Sequence, residues 1–158
     1  MKNKNQYSIE DLLDVMSELR NKCPWDQKQT FDTLKKLTIE ETYELVDAID
    51  KKKYDDIKDE LGDLLLHIIF YSKIASENKK FNFNDVLNSL IEKLIYRHPH
   101  IYGDIKVSSI DEVKKNWERL KVKDKNKGIL SGVPNHLPSL IKAHSCLLYT
   151  SPSPRDDR

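Results

Sequence analysis

Apolar positions recur along this chain at spacings of three and four, the mark of helices with one buried face. Leu12, Val15, Met16 and Leu19 form the first such stripe and predict a helix from about Ser8 to Asn21. Ser8 and Asp11 stand at its start in the spacing of a capping box. Cys23-Pro24-Trp25-Asp26 then reads as a loop, because the residue before proline disfavours helix. A second helix is expected over Thr38 to about Lys51, with an earlier start near Phe31 left open. Ile39, Thr42, Tyr43, Leu45, Val46 and Ile49 share one broad side of it, and Glu40, Glu41 and Glu44 the other. A third helix, about Tyr54 to Glu77, repeats Ile57, Leu61, Leu64, Ile68 and Tyr71. From Leu64 to Phe70 it is apolar almost all round, which marks the central, most buried helix. A fourth runs from near Asn84 to His98, where Pro99 follows. After a loop over 98–108, a fifth begins at Ser109, with Glu112 as capping partner, and ends near Lys123. Asp124 to Ser131 reads as a charged linker, and Leu137 to Ala143 as the start of another helix. No strand pattern and no internal repeat interrupts this picture. The expected fold is all-α, a bundle of about five helices.

Composition narrows the class. The chain has 158 residues, 38% hydrophobic and 34% charged, enough apolar material for one domain with a well-solvated surface. Its net charge of +1 lacks the basic excess of a nucleic-acid-binding domain. Met1 to Tyr7 is polar, without the apolar stretch of a secretory signal. The longest apolar run, Leu64 to Tyr71, is too short to span a bilayer. A cytoplasmic setting is the expectation, without nucleic-acid or membrane partners. Two cysteines, Cys23 and Cys146, are too few for a disulfide framework.

The acidic residues carry the candidate chemistry. Glu41 and Glu44 stand three apart on the second helix, and Glu60 and Asp63 three apart on the third, so each pair shares a face. The short Lys52-Lys53-Tyr54 connection lets the two pairs converge on antiparallel neighbours. Carboxylates at the edge of an apolar surface need an offsetting partner. Magnesium, a hard cation with oxygen ligands, suits four of them. Spacing alone leaves other readings open. Glu41 could close a capping box with Thr38, and Glu60 and Asp63 could pair with Lys58 or Lys93.

Longer strings decide among these. CPWDQKQTFDTL at 23–34, TIEETYELVDAI at 38–49, ELGDLLLHIIF at 60–70, KLIYRHPHIYGD at 93–104 and WERLK at 117–121 resemble, in order, the MazG family of nucleoside triphosphate pyrophosphohydrolases. The resemblance runs from Ser8 to about Ala143, and the expected domain is 8–143. It implies magnesium held by Glu41, Glu44, Glu60 and Asp63, with Glu40 in support. It implies substrate contacts from Lys93 and Arg97 to the phosphates, and from Trp117 and Lys121 to the nucleotide. It also implies a homodimer. Apolar faces such as Phe70, Tyr71 and Ile74, broad for one small domain, agree with that. The string CLLYTSPSPRD at 146–156 resembles a translated sequencing adaptor. On that resemblance residues 146–158 are a non-native tail, and the chain is a fragment.

The implied reaction is magnesium-dependent hydrolysis between the α and β phosphates of a nucleoside triphosphate, giving monophosphate and pyrophosphate. Glu40 or Glu41 would take the proton of the attacking water. Neither a GxxxxGK[ST] phosphate loop nor a nucleophile with its base is in view. The alternative is a catalytically silent half of a longer two-domain protein, which binds nucleotide or supports assembly; the intact acid set argues against it. The remaining residues carry smaller expectations. His67 is a core or supporting histidine, His98 and His100 cap a helix end, Trp25 and Asp26 shape a loop over the site, and Cys23 is structural.

Overall fold

The computed structural model describes residues 6–125, apart from the side chains of Glu118 and residues 121–125. Leu137 to Ala143 and the 146–158 tail lie outside that range. All regular structure among the described residues is helical: α1 (Ile9–Lys22), α2 (Pro24–Lys28), α3 (Phe31–Asp50), α4 (Tyr54–Glu77), α5 (Phe83–Arg97), α6 (Pro99–Tyr102) and α7 (Ile110–Lys125). The five expected helices are present. Two short ones, α2 and α6, replace expected loops. Both begin with proline, whose fixed φ and missing N–H suit the first helical position. The chain divides into two compact units between Leu90 and Ile91.

In the first unit, α1 opens as expected. The Ser8 amide donates to the Asp11 carboxylate at 3.0 Å, and the Asp11 amide to Ser8 Oγ at 3.3 Å. Helix α3 takes the earlier of the two starts left open, Phe31 rather than Thr38. Thr30 caps it, its Oγ1 accepting from the Thr33 amide at 3.2 Å. Phe31 then lies parallel to the Tyr71 ring, centroids 5.5 Å apart, which extends the helix onto α4. Thr38 is therefore inside the helix, and the capping role for Glu41 falls away. The α3–α4 connection is tight. Lys52 adopts a left-handed φ of 54°, and the Lys53 amide donates back to the Ala48 carbonyl at 3.1 Å. The two helices run antiparallel.

Met16, Leu34, Ile69, Phe70 and Ile74 form the core, with Leu12, Leu13, Leu37, Leu65, Leu66, Tyr71 and Phe83 packed against them. Helix α4 supplies three of those five, as its all-round apolar sequence implies. The expected surplus at Phe70, Tyr71 and Ile74 is absorbed internally. Phe70 and Ile74 are buried, and Tyr71 is half-buried under Phe31. The uncovered apolar face lies instead on α3, where Ile39, Tyr43, Val46 and Ile49 are about half exposed. Helix α3 has two stripes of similar period. The one facing α4 is the more polar, running through Leu34, Thr38, Glu41, Leu45 and Ala48.

Arg20 ties α1 to the far end of α4. Its Nε and Nη2 donate to Glu77 at 3.1 and 2.5 Å, and Nη1 donates to the carbonyls of Asp26 and Gln29. The guanidinium also lies 5.7 Å from the centre of the Phe70 ring. Trp25 meets Phe70 edge-on at 6.5 Å. Trp25 and Asp26 thus brace the core about two turns along α4 from Asp63, and the loop over the site expected of them is replaced by α2 on that core.

In the second unit, His98 Nδ1 sits 2.6 Å from the Leu94 carbonyl and closes the end of α5. Gly103 passes so close to the Pro99 carbonyl that a Cβ would meet its oxygen at 2.9 Å. At the start of α7 the Glu112 amide donates to Ser109 Oγ at 3.2 Å, while the Glu112 carboxylate reaches one residue further back, to Ser108.

The hydrogen bonds from Arg20 hold Glu77 below the usual glutamate range. Its contribution to stability is complete above the unfolded pKa of about 4.3 and fades as pH falls through the lower folded value. Glu77→Gln should cost about 1 kcal/mol at pH 7, a low figure for a charged hydrogen bond because Glu77 is a third exposed. Urea melts at pH 7 and pH 3 should show that difference narrowing at the lower pH.

Candidate functional site

The seam between α3 and α4 brings the acidic pairs together. Carboxylate oxygens of Glu41, Glu60 and Asp63 lie within 4.8 Å of one another. Glu41 and Glu60 are partly buried and Asp63 is exposed, so the cluster opens to solvent on one side. Spacing explains the convergence: three residues forward on α3 and three on antiparallel α4 cover about 4.5 Å each. Glu44 stands outside this closest group, yet its charge acts on both Glu41 and Glu60. Glu40 is exposed on the neighbouring position and adds its charge to Glu41.

Electrostatics mark the cluster as uncompensated. Burial raises the Glu41 pKa above the usual range, and Asp63, Glu44 and Glu40 push it further; a hydrogen bond with Glu60 partly opposes them. Burial likewise raises Glu60, helped by Glu44, Glu41, Asp63 and Asp56. Among the described residues, no lysine is placed to relieve this. Lys58, an expected partner, turns to Asp55 and Asp59 at 3.4 and 3.7 Å. Glu60 Oε2 is buried with no hydrogen-bond partner. A shielded carboxylate oxygen without a donor, beside two more carboxylates, is a donor set that fits a hard divalent cation.

One turn along the seam, a residue not assigned from sequence completes the arrangement. Thr38 Oγ1 lies 2.8 Å from His67 Nδ1, 2.7 Å from the Tyr71 hydroxyl and 3.0 Å from the Leu34 carbonyl. His67 is 7% exposed, a core histidine as expected. Burial holds its pKa below the ordinary value, against the opposing charge of Asp63. Nothing in the string TIEE announces this role, since threonine inside a helix ordinarily bonds only to its own backbone.

The remaining expected residues lie in the second unit. The Arg97 guanidinium stacks over the Trp117 ring at 5.4 Å. Lys93 is exposed on α5. The Lys121 side chain lies outside the described residues. His98 and His100 rings stand 5.7 Å apart, and His100 Nδ1 is buried without a partner.

Comparison with known proteins bears on the family and the fold. Residues 29–102, which span α3, α4 and the α5–α6 segment, match the MazG nucleotide pyrophosphohydrolase domain. Nucleoside triphosphate pyrophosphohydrolase from Escherichia coli (strain K12) is 41% identical over 142 residues, covering 85% of this chain and 54% of that protein. The chain belongs to the MazG family. A second MazG relative, nucleoside triphosphate pyrophosphohydrolase/pyrophosphatase MazG from Thermotoga maritima, is 47% identical over 121 residues, 75% of this chain and 46% of that protein. The chain thus spans about half the length of these curated relatives. The crystal structure of a mazG-related protein from Thermotoga maritima superposes with a TM-score of 0.62 at 26% identity, covering 71% of this chain and 97% of that one.

Repulsion in this cluster has a measurable consequence for the MazG domain without added cation. Glu60→Gln removes one of the crowded charges and should raise the melting temperature in chelator. An unchanged or lower melting temperature would show that the carboxylates are already well accommodated.

Proposed function

We propose that this MazG domain hydrolyses nucleoside triphosphates between the α and β phosphates, releasing nucleoside monophosphate and pyrophosphate with Mg2+ as cofactor. The observation that carries the reading is the cluster of Glu41, Glu60 and Asp63, with its buried, partnerless Glu60 oxygen. The names of the Escherichia coli and Thermotoga maritima relatives support the reaction class. Glu41, Glu44, Glu60 and Asp63 would hold the cation. When bound, such an ion neutralises phosphate charge and lowers the pKa of a coordinated water. Glu40 or Glu41 accepts the proton that the attacking water loses. Lys93 supplies a point charge for the phosphates and Arg97 a planar fork. The Arg97 guanidinium lies over the Trp117 ring, which places these two expected nucleotide contacts side by side. Lys121 completes the nucleotide contacts in this reading.

A homodimer belongs to the same proposal, and the exposed Ile39, Tyr43, Val46 and Ile49 face of α3 is the surface it would cover. A cytoplasmic setting suits a nucleotide substrate. No described helix is long and apolar enough to cross a membrane. A second reading comes from the chain's span of about half its relatives: a domain that binds nucleotide while a neighbouring half does the chemistry.

The test is product analysis with a panel of NTPs and dNTPs. Monophosphate and pyrophosphate, lost on chelation and in Asp63→Asn, are the expected outcome. Magnesium-dependent nucleotide binding without turnover would favour the second reading. Lys93→Ala should raise KM about tenfold with a smaller change in kcat, the pattern of a lost ground-state phosphate contact; an unchanged KM removes Lys93 from the site.

A further inference from the structure

The Thr38 hydroxyl has three polar neighbours and one proton. The Leu34 carbonyl can only accept, so Thr38 donates to it. The Tyr71 hydroxyl and His67 Nδ1 must then both donate to Thr38 Oγ1, at 2.7 and 2.8 Å. This assigns His67 as the Nδ1–H tautomer and saturates the threonine oxygen. Every group in the junction is partly or fully buried. Sliding α3 against α4 would break both bonds that cross the seam and strand the His67 and Tyr71 groups, each at the cost of an unmade buried hydrogen bond.

Position gives this junction its meaning. Glu41 lies three residues beyond Thr38 on α3, and Asp63 lies four residues before His67 on α4. The helices are antiparallel, so both steps run the same way along the seam, about 4.5 and 6 Å. The next rung after Thr38–His67 is therefore Glu41–Asp63, with Glu60 one turn further on. The carboxylate charges repel each other, and the Glu41–Glu60 hydrogen bond opposes this only in part. Outside the cluster, the polar bridge between the two helices among the described residues is the one at Thr38.

We propose that Thr38, clamped between His67 and Tyr71, is a positioning residue that fixes the register of the Glu41, Glu60 and Asp63 carboxylates for a divalent cation. The inference rests on the cation site proposed above. Groups that orient metal ligands from behind commonly change affinity by about 10–100-fold when removed.

The experiment measures Mn2+ binding to the full chain by titration calorimetry, with circular dichroism melts alongside. Thr38→Val keeps the shape of the side chain and removes the oxygen; Thr38→Ser keeps the oxygen. The expected result is Mn2+ binding about tenfold weaker in Thr38→Val and close to the parent in Thr38→Ser, both folded. Should Thr38→Val fail to fold, His67→Asn, whose amide can donate from near the Nδ1 position, and His67→Leu, which cannot donate, make the same comparison. Parental binding in a folded Thr38→Val or His67→Leu overturns the inference and leaves the cation site standing. Equal weakening in Thr38→Ser overturns it too, since packing and not the hydroxyl would then matter. A parent protein that binds no Mn2+ overturns the cation site and this inference with it.

Discussion

Negative charge crowded on the seam between α3 and α4 is the constraint around which this domain is built. Glu41, Glu60 and Asp63 bring their oxygens within 4.8 Å, with Glu44 and Glu40 adding to the field. Left to themselves these groups would part the helices. Packing on both sides prevents it. Leu34, Ile69, Phe70 and Ile74 sit in the core on one side, and the tight turn through Lys52 closes the other. The cluster thus sits between two fixed points. Its repulsion is held in place, available to be relieved by a cation.

The helices and the convergence of their acidic residues are legible in the sequence; which faces are covered is not. Glu41, Glu60 and Asp63 were legible because fixed helical spacing converts an ExxE and an ExxD into geometry once the hairpin is inferred. The central place of α4 followed from an apolar run that leaves no polar side. The outward face of α3 did not follow. Ile39, Tyr43, Val46 and Ile49 repeat at helical spacing, as core residues do, and hydrophobic pattern does not say whether a face is covered by its own chain. Pro24 and Pro99 act twice, ending what precedes them and starting a short helix, and the second effect is the one a loop expectation leaves out.

What stayed invisible was long-range polar structure. Arg20 to Glu77 joins residues 57 apart, and Thr38 to His67 joins residues 29 apart. Neither leaves a local mark, because each partner alone resembles an ordinary surface or core residue. Family resemblance proposes substrate contacts at Lys93, Arg97, Trp117 and Lys121 that spacing alone does not suggest. The stack of Arg97 on Trp117 adds what resemblance lacked: the indole shares one face with a guanidinium.

The Lys52 turn has a consequence for how the protein comes to be folded. Glu41 and Asp63 belong to one continuous stretch closed by a few residues, so the loop entropy of assembling the acidic seam is small. Contacts of such short sequence separation form early and fast. The hairpin carrying the chemistry can therefore assemble before α1 and its Arg20 strap arrive from the other end of the core. The most self-repelling part of the molecule is also the part with the least chain to gather.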